Sequence, residues 1–131
     1  MAEPRSRQER IADTLRRLDD DTDAWVASTD AKQPWLAPLS FLWRDGELLL
    51  ATEATTPTAT NAVTIPYVRL AIGHTRDVVI VQGQARVLPA TDITDEEADA
   101  YQTKHGSDPR TWGRCGDAAT TFADPGVARI K

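Results

Sequence analysis

The sequence predicts a mainly β domain: an antiparallel barrel, closed or partly open, with three flanking helices. Three observations predict it. Five or six short stretches alternate apolar and polar residues, or run apolar between turn signals, as strands with short antiparallel connections do. Three other stretches carry helix-start chemistry. No glycine-rich loop of nucleotide-binding spacing is present, which sets a doubly wound parallel sheet aside. Closing the sheet hides the edges that a small twisted sheet would expose. The 131 residues, 40% hydrophobic and 27% charged, suffice for one domain with a real core. They divide into an N-terminal helix with an acidic connection, 1–23, and a barrel domain, 24–131.

In order, Ser6 caps the first helix and Glu9, three residues later, completes a capping box. Ile11, Leu15 and Leu18 form one face, expected against the sheet, while Arg10, Arg16 and Arg17 read as a solvated face. Asp19, Asp20, Asp21 and Asp23 read as a solvated connection, because adjacent acids do not converge on a metal without a fold to aim them. AWVAST, 24–29, is the first strand, and WLAPLSFLW, 35–43, the second. Pro38 lacks a ladder donor, so it marks an edge, a bulge or a place where regular pairing stops. A ligand can use that irregularity, with Ser40 just beyond it. The turn Arg44-Asp45-Gly46 leads back into a buried strand, Glu47 to Thr52, around the run Leu48-Leu49-Leu50.

Thr52, Thr55, Thr56, Pro57 and Thr58 combine strand end, turn and the start of a helix from Pro57 to Ile65, stopped by Pro66. Hydroxyls beside unpaired helix-start N–H groups make an anion cradle; the plainer reading is a capped helix that binds nothing. Residues 67–73 form the fourth strand. After the turn His74-Thr75-Arg76-Asp77, residues 78–88 form a long strand whose central Gly83 suggests a bulge or bend serving two parts of a curved sheet. Thr94 caps the last helix, Asp95 to His105, with Glu96, Glu97 and Asp99 complementing its dipole. Residues 120–122 and 127–130 read as a short last strand broken by Asp124-Pro125-Gly126.

Composition narrows the function. A net charge of −5 disfavours nucleic acid as a partner. No apolar run approaches the roughly 18 residues of a membrane span and no signal-peptide core follows the charged start, so the cytoplasm is expected. Cys115, the single cysteine, reads as an unreactive thiol. His74 and His105 lie too far apart for zinc spacing, so no metal is expected, and no serine has an elbow-type glycine frame. Trp25 and Trp43 read as core or subunit interface, whereas Trp35 and Trp112, beside turns, are open to covering a planar ligand. Arg69 belongs on a wet face or, if near the threonines, on a phosphate.

The stretch APLSFLWRDGELLLATEATTPTATNAVTIPYVRLAI, followed by GHTRDVVIVQGQARVLPA, resembles the split-barrel flavin or deazaflavin oxidoreductases, the pyridoxamine 5'-phosphate oxidase-like family. The resemblance runs from about Ala24 to His105. It implies a six-stranded antiparallel split β-barrel, the FMN-binding split-barrel fold, forming a homodimer with FMN or a deazaflavin cofactor in a groove at the subunit interface. It places Pro38, Leu39 and Ser40 along the ring, Thr52 near its polar edge, and Thr56, Thr58 and Asn61 around the phosphate; Arg69, read from its own position, is the added candidate cation. The implied activity is hydride transfer to or from a small, mostly apolar organic substrate. No catalytic side chain is assigned; Ser40, Tyr67 and His74 can exchange a proton. Phe122, Pro125 and Ile130 match the family's final strand, whose terminal Ala-Trp has no counterpart before Lys131. Many members carry a basic residue immediately before the asparagine matching Asn61, where this chain has Thr60, and Ala62 to Pro66 are small or apolar. Those positions favour an alternative: a cofactor-free split-barrel protein using the groove for non-redox chemistry on a biosynthetic intermediate, or for ligand binding only.

Overall fold

A computed structural model describes residues 3–53 and 55–111 and the backbone of 125–130. Trp112, Cys115 and the strand expected over 120–122 lie outside the described residues. Helix α1 spans Arg7–Asp20, followed by strands β1 (Asp23–Thr29), β2 (Pro34–Arg44) and β3 (Glu47–Glu53). Helix α2 is Pro57–Thr64; β4 is Tyr67–Ile72, β5 Val79–Pro89, α3 Asp95–His105, and β6, by its backbone, Pro125–Ile130. The sheet is antiparallel throughout and closes in the order β1-β2-β3-β6-β5-β4.

The closure depends on the two 11-residue strands. β2 pairs with β1 from Pro34 to Ser40 and with β3 from Phe41 to Arg44. β5 pairs with β4 from Val79 to Gln84 and with β6 from Ala85 to Pro89. Each long strand thus turns a corner between two sheets, and each has a local weakness near the handover: Pro38, without a ladder donor, and Gly83, without a side chain. Asp45 (φ 53°) and Gly46 (φ 75°) both adopt left-handed backbone between β2 and β3, the geometry that matches a tight two-residue hairpin to the twist of its strands.

β3 is buried on both faces, which explains its unbroken leucine run. Leu48 and Leu50 enter the barrel core with Val26, Phe41, Val68, Leu70 and Ile72. Leu49 and Ala51 point the other way, into a second cluster beneath α3 with Leu42, Ile93, Ala98 and Tyr101. Helix α3 is stopped at both ends: Thr94 and Glu97 exchange capping-box bonds of 3.1 and 3.0 Å, and Gly106 adopts the left-handed C-cap.

Helix α1 departs from the sequence reading. Its Ser6–Glu9 capping box forms as expected, and Leu18 is buried. Ile11 and Leu15, however, remain 50% and 46% exposed, so the apolar face is only anchored at its C-terminal end. Arg16 and Arg17 are not simply solvated. Arg16 pairs with Asp13 at 3.0 Å, and Arg17 reaches the β4–β5 turn, bonding both the carboxylate (2.6 Å) and the carbonyl of Asp77. Arg5 bridges Asp13 and Asp77 as well. Ion pairs to the β4–β5 turn thus join the burial of Leu18 in locating this helix, and Gly73 leaves room for Arg17: a Cβ there would meet its guanidinium at 3.0 Å.

Candidate functional site

The ladder between β2 and β3 stops at the pair Phe41–Leu50. Continued by two residues, the register would set Leu39 opposite Thr52; instead β2 stays with β1 and β3 stays with β6. Two lips are left, one carrying Pro38, Leu39 and Ser40, the other carrying Thr52 and leading into the turn and α2. Pro38, Leu39, Ser40 and Thr52 thus flank one gap in the pairing, but not on one face: Leu39 packs against the barrel core while Pro38 lies beside Trp25 on the outside, and Thr52 contacts Thr56.

The threonine turn is self-organised. The Thr56 hydroxyl caps α2 by accepting from the Ala59 N–H (3.3 Å) and donates to the Glu53 carbonyl (2.9 Å). Its single proton being so used, the 3.2 Å contact with Thr52 has Thr52 as donor. The Thr60 hydroxyl bonds back to the carbonyls of Thr56 and Pro57, both at 3.1 Å. Thr58 is buried, and Asn61 faces the barrel, its amide donating to the buried Ser28 hydroxyl at 3.2 Å. No acidic residue stands in the first turn of α2, so the positive end of its dipole is uncompensated by its own side chains.

Arg69 is not brought to this turn within one protomer. It lies on the outer face of β4, opposite Ala27 of β1 and Gln82 of β5. Two strands separate β4 from β3 in either direction around the barrel. Arg69 lines a cavity of about 630 Å³ with Ser28, Tyr67, Gln82 and Gln84, and Asn61 of α2 is bonded to that Ser28. His74 is elsewhere again, exposed in the β4–β5 turn beside Arg17 and Asp20. Of the tryptophans, Trp25 is 51% exposed on the outer face, Trp35 is 43% exposed, and Trp43 packs against the barrel core.

Behind the β2 lip lies a group of residues that sequence reading left unconnected. The Ser40 hydroxyl donates to Asp23 at 2.8 Å, and the nearby Tyr101 phenol is pushed up to about 12 by burial and then by the charge of Asp23, with Ser40 opposing. His105 Nε2 meets the Phe41 carbonyl at 2.7 Å, and its ring stacks obliquely on Tyr101 at 4.6 Å. Lys104 Nζ sits 4.3 Å above the Phe41 ring, a cation–π contact. Burial lowers its pKa, opposed by the carboxylates of Asp19, Asp21, Asp20 and Asp23. The spacing of Tyr101, Lys104 and His105 already puts them on one side of a helix. What it could not show is that this side rests on β2.

No family model and no curated protein sequence matches the chain. Solved structures do. A FAD-binding protein from Mesorhizobium loti superposes with a TM-score of 0.64 at 19% identity, covering 91% of this chain and 86% of that one. The chain has the split-barrel fold. A protein described as a pyridoxamine 5'-phosphate oxidase, from Listeria innocua, gives 0.64 at 14% identity over 92% and 90% of the two chains. An F420 reductase gives 0.64 at 12% identity over 88% and 90%. At these identities the likeness establishes the architecture, a mainly antiparallel β-barrel with flanking helices, which the resemblance read from residues 24–105 implied.

Proposed function

We propose that the opening between β2 and β3 holds FMN or a deazaflavin cofactor and that the protein is an oxidoreductase acting on a small, mostly apolar organic molecule. The observation that carries this reading is the end of the β2–β3 ladder beside the start of α2, which offers an apolar lip and an anion-favouring helix end at the two extremities of one groove. The residues fit the group. Pro38 and the backbone of Leu39 supply flat contact for a ring, and Ser40 and Thr52 supply hydroxyls at its edge. At the phosphate end Pro57 has no N–H and that of Ala59 is taken by Thr56, so Thr58 contributes the donor of the first turn. When bound, the cofactor supplies hydride transfer between its ring and the substrate. The protein positions the two: Thr56 orients Thr52, Asn61 ties α2 to β1 through Ser28, and Asp23 fixes the Ser40 hydroxyl.

The protein works as a homodimer in the cytoplasm. Support for self-association comes from the outer face of β1, β2, β4 and β5, where Trp25, Leu36, Tyr67 and Ile80 are 51%, 60%, 66% and 54% exposed, an apolar array unusual on a surface that meets only water. No helix among the described residues is long and apolar enough to cross a membrane. With β4 two strands away from β3 in either direction, the contact of Arg69 with a cofactor phosphate belongs to a second copy.

One observation favours the cofactor-free alternative: the hydroxyls of Thr56 and Thr60 are already engaged by the backbone, and no basic residue stands in the helix. Titrating purified protein with FMN and with the deazaflavin cofactor, followed by absorbance, separates the two readings. Micromolar binding of either is expected; failure of both leaves the groove to a different ligand.

A further inference from the structure

The outer face that supports self-association has a charge at its centre. Along adjacent strands the outward rows read Pro38, Trp25, Ala71, Ile80 and then Leu36, Ala27, Arg69, Gln82. Arg69 is exposed and makes no ion pair or side-chain hydrogen bond among the described residues. The neighbours opposite it, Ala27 and Gln82, carry no carboxylate. The nearest acid with the same orientation along β1 is Asp23, four residues and about 13 Å from Ala27, where it accepts from Ser40.

A two-fold dimer sets a surface against itself, so a face poor in carboxylates meets another poor in carboxylates. Burying an unpaired guanidinium in each half opposes closure. The cavity beside Arg69 has space for a counter-ion, and the amides of Gln82 and Gln84 can donate to the same ion. We propose that this cavity is an anion site for a phosphate or carboxylate group, and that filling it is linked to dimerisation: the anion neutralises Arg69 as the two apolar faces close. This rests on the self-association proposed above. The anion's source is either a free ion or the phosphate of a bound cofactor, since both present the same oxygens.

The test is the dimer dissociation constant from sedimentation equilibrium, in chloride and in inorganic phosphate at equal ionic strength, and with FMN or riboflavin added. With one anion per Arg69 and phosphate at ten times its own dissociation constant, the dimer should tighten about a hundredfold. Arg69→Gln, at an exposed position that leaves the core untouched, should dimerise well in chloride and lose the phosphate response. A response to inorganic phosphate identifies a free-ion site. A response to FMN but to neither riboflavin nor phosphate assigns the anion to the cofactor. A dimer whose constant is the same in all four conditions overturns the anion site while leaving the dimer standing. Wild type and Arg69→Gln monomeric throughout overturns the self-association itself.

Discussion

Replacing Tyr101 with phenylalanine tests the network behind the β2 lip. The Tyr101 ring is fully buried, and its phenol lies near Ser40 and the Asp23 carboxylate. The folded-state pKa of about 12 lies above the ordinary value near 10. A raised pKa contributes stability that is complete below the unfolded value and is lost as pH rises through the folded one. The loss between about pH 9 and pH 11.5 comes to about 2 kcal/mol. Between these two pH values the stability difference between wild type and Tyr101→Phe should shift by about 2 kcal/mol toward the variant. Urea unfolding of both proteins at each pH measures this directly, and every other titrating group is common to both and cancels in the difference. Tyrosinate absorbance in a Tyr67→Phe background follows Tyr101 alone. A wild-type advantage that stays constant across the range would refute the assignment of the shift to Tyr101.

Three further outcomes are expected. Leu50→Ala, at a side chain 1% exposed in the barrel core, should cost about 2–5 kcal/mol in urea unfolding; a loss below about 1 kcal/mol would mean the barrel interior is looser than its packing indicates. Gly73→Ala puts a Cβ at φ 92° and 3.0 Å from the Arg17 guanidinium, so it should cost about 1–2 kcal/mol, seen as a melting temperature lower by several degrees; no change would show that α1 is not clamped through this turn. Thr60→Arg should tighten FMN binding about tenfold, as a charge-assisted contact beside the α2 N-terminus would; unchanged affinity, by absorbance titration, would argue that the phosphate end is elsewhere or already sufficient.

Much of the architecture was legible because it is written in local signals. The capping boxes Ser6–Glu9 and Thr94–Glu97, the Asp45-Gly46 turn and the Thr56-Pro57 helix start each act over a few residues, and each appears where its chemistry places it. The features that escaped depend on what lies across space. Nothing near Arg17 in the sequence indicates Asp77, 60 residues away. Ile11 and Leu15 have the spacing of a buried face, but spacing does not say whether a partner surface is within reach. Whether Arg69 lies near the threonines is not written in the 13 positions between Arg69 and Thr56; the closed order of strands puts β4 two strands away from β3 in either direction. For the site, Pro38 pairs in an unbroken register with Trp25, in the part of β2 that has no partner on its β3 side, while the grouping of Asp23, Ser40 and Tyr101 needed the docking of α3 to become visible.

The position of β6 between β3 and β5 governs when this molecule can fold. Leu48 and its pairing partner Ile130 are about 80 residues apart, so loop closure for that ladder must precede any return from its contacts. During synthesis, β1 to β5 and the helices emerge while the edges of β3 and β5 are still bare. A nascent chain at that stage offers two unpaired edges next to strongly apolar strands, the surfaces on which aggregation begins. Folding should accordingly show its slow step at barrel closure, with protection of the β3 and β5 amides against hydrogen exchange arriving together and last.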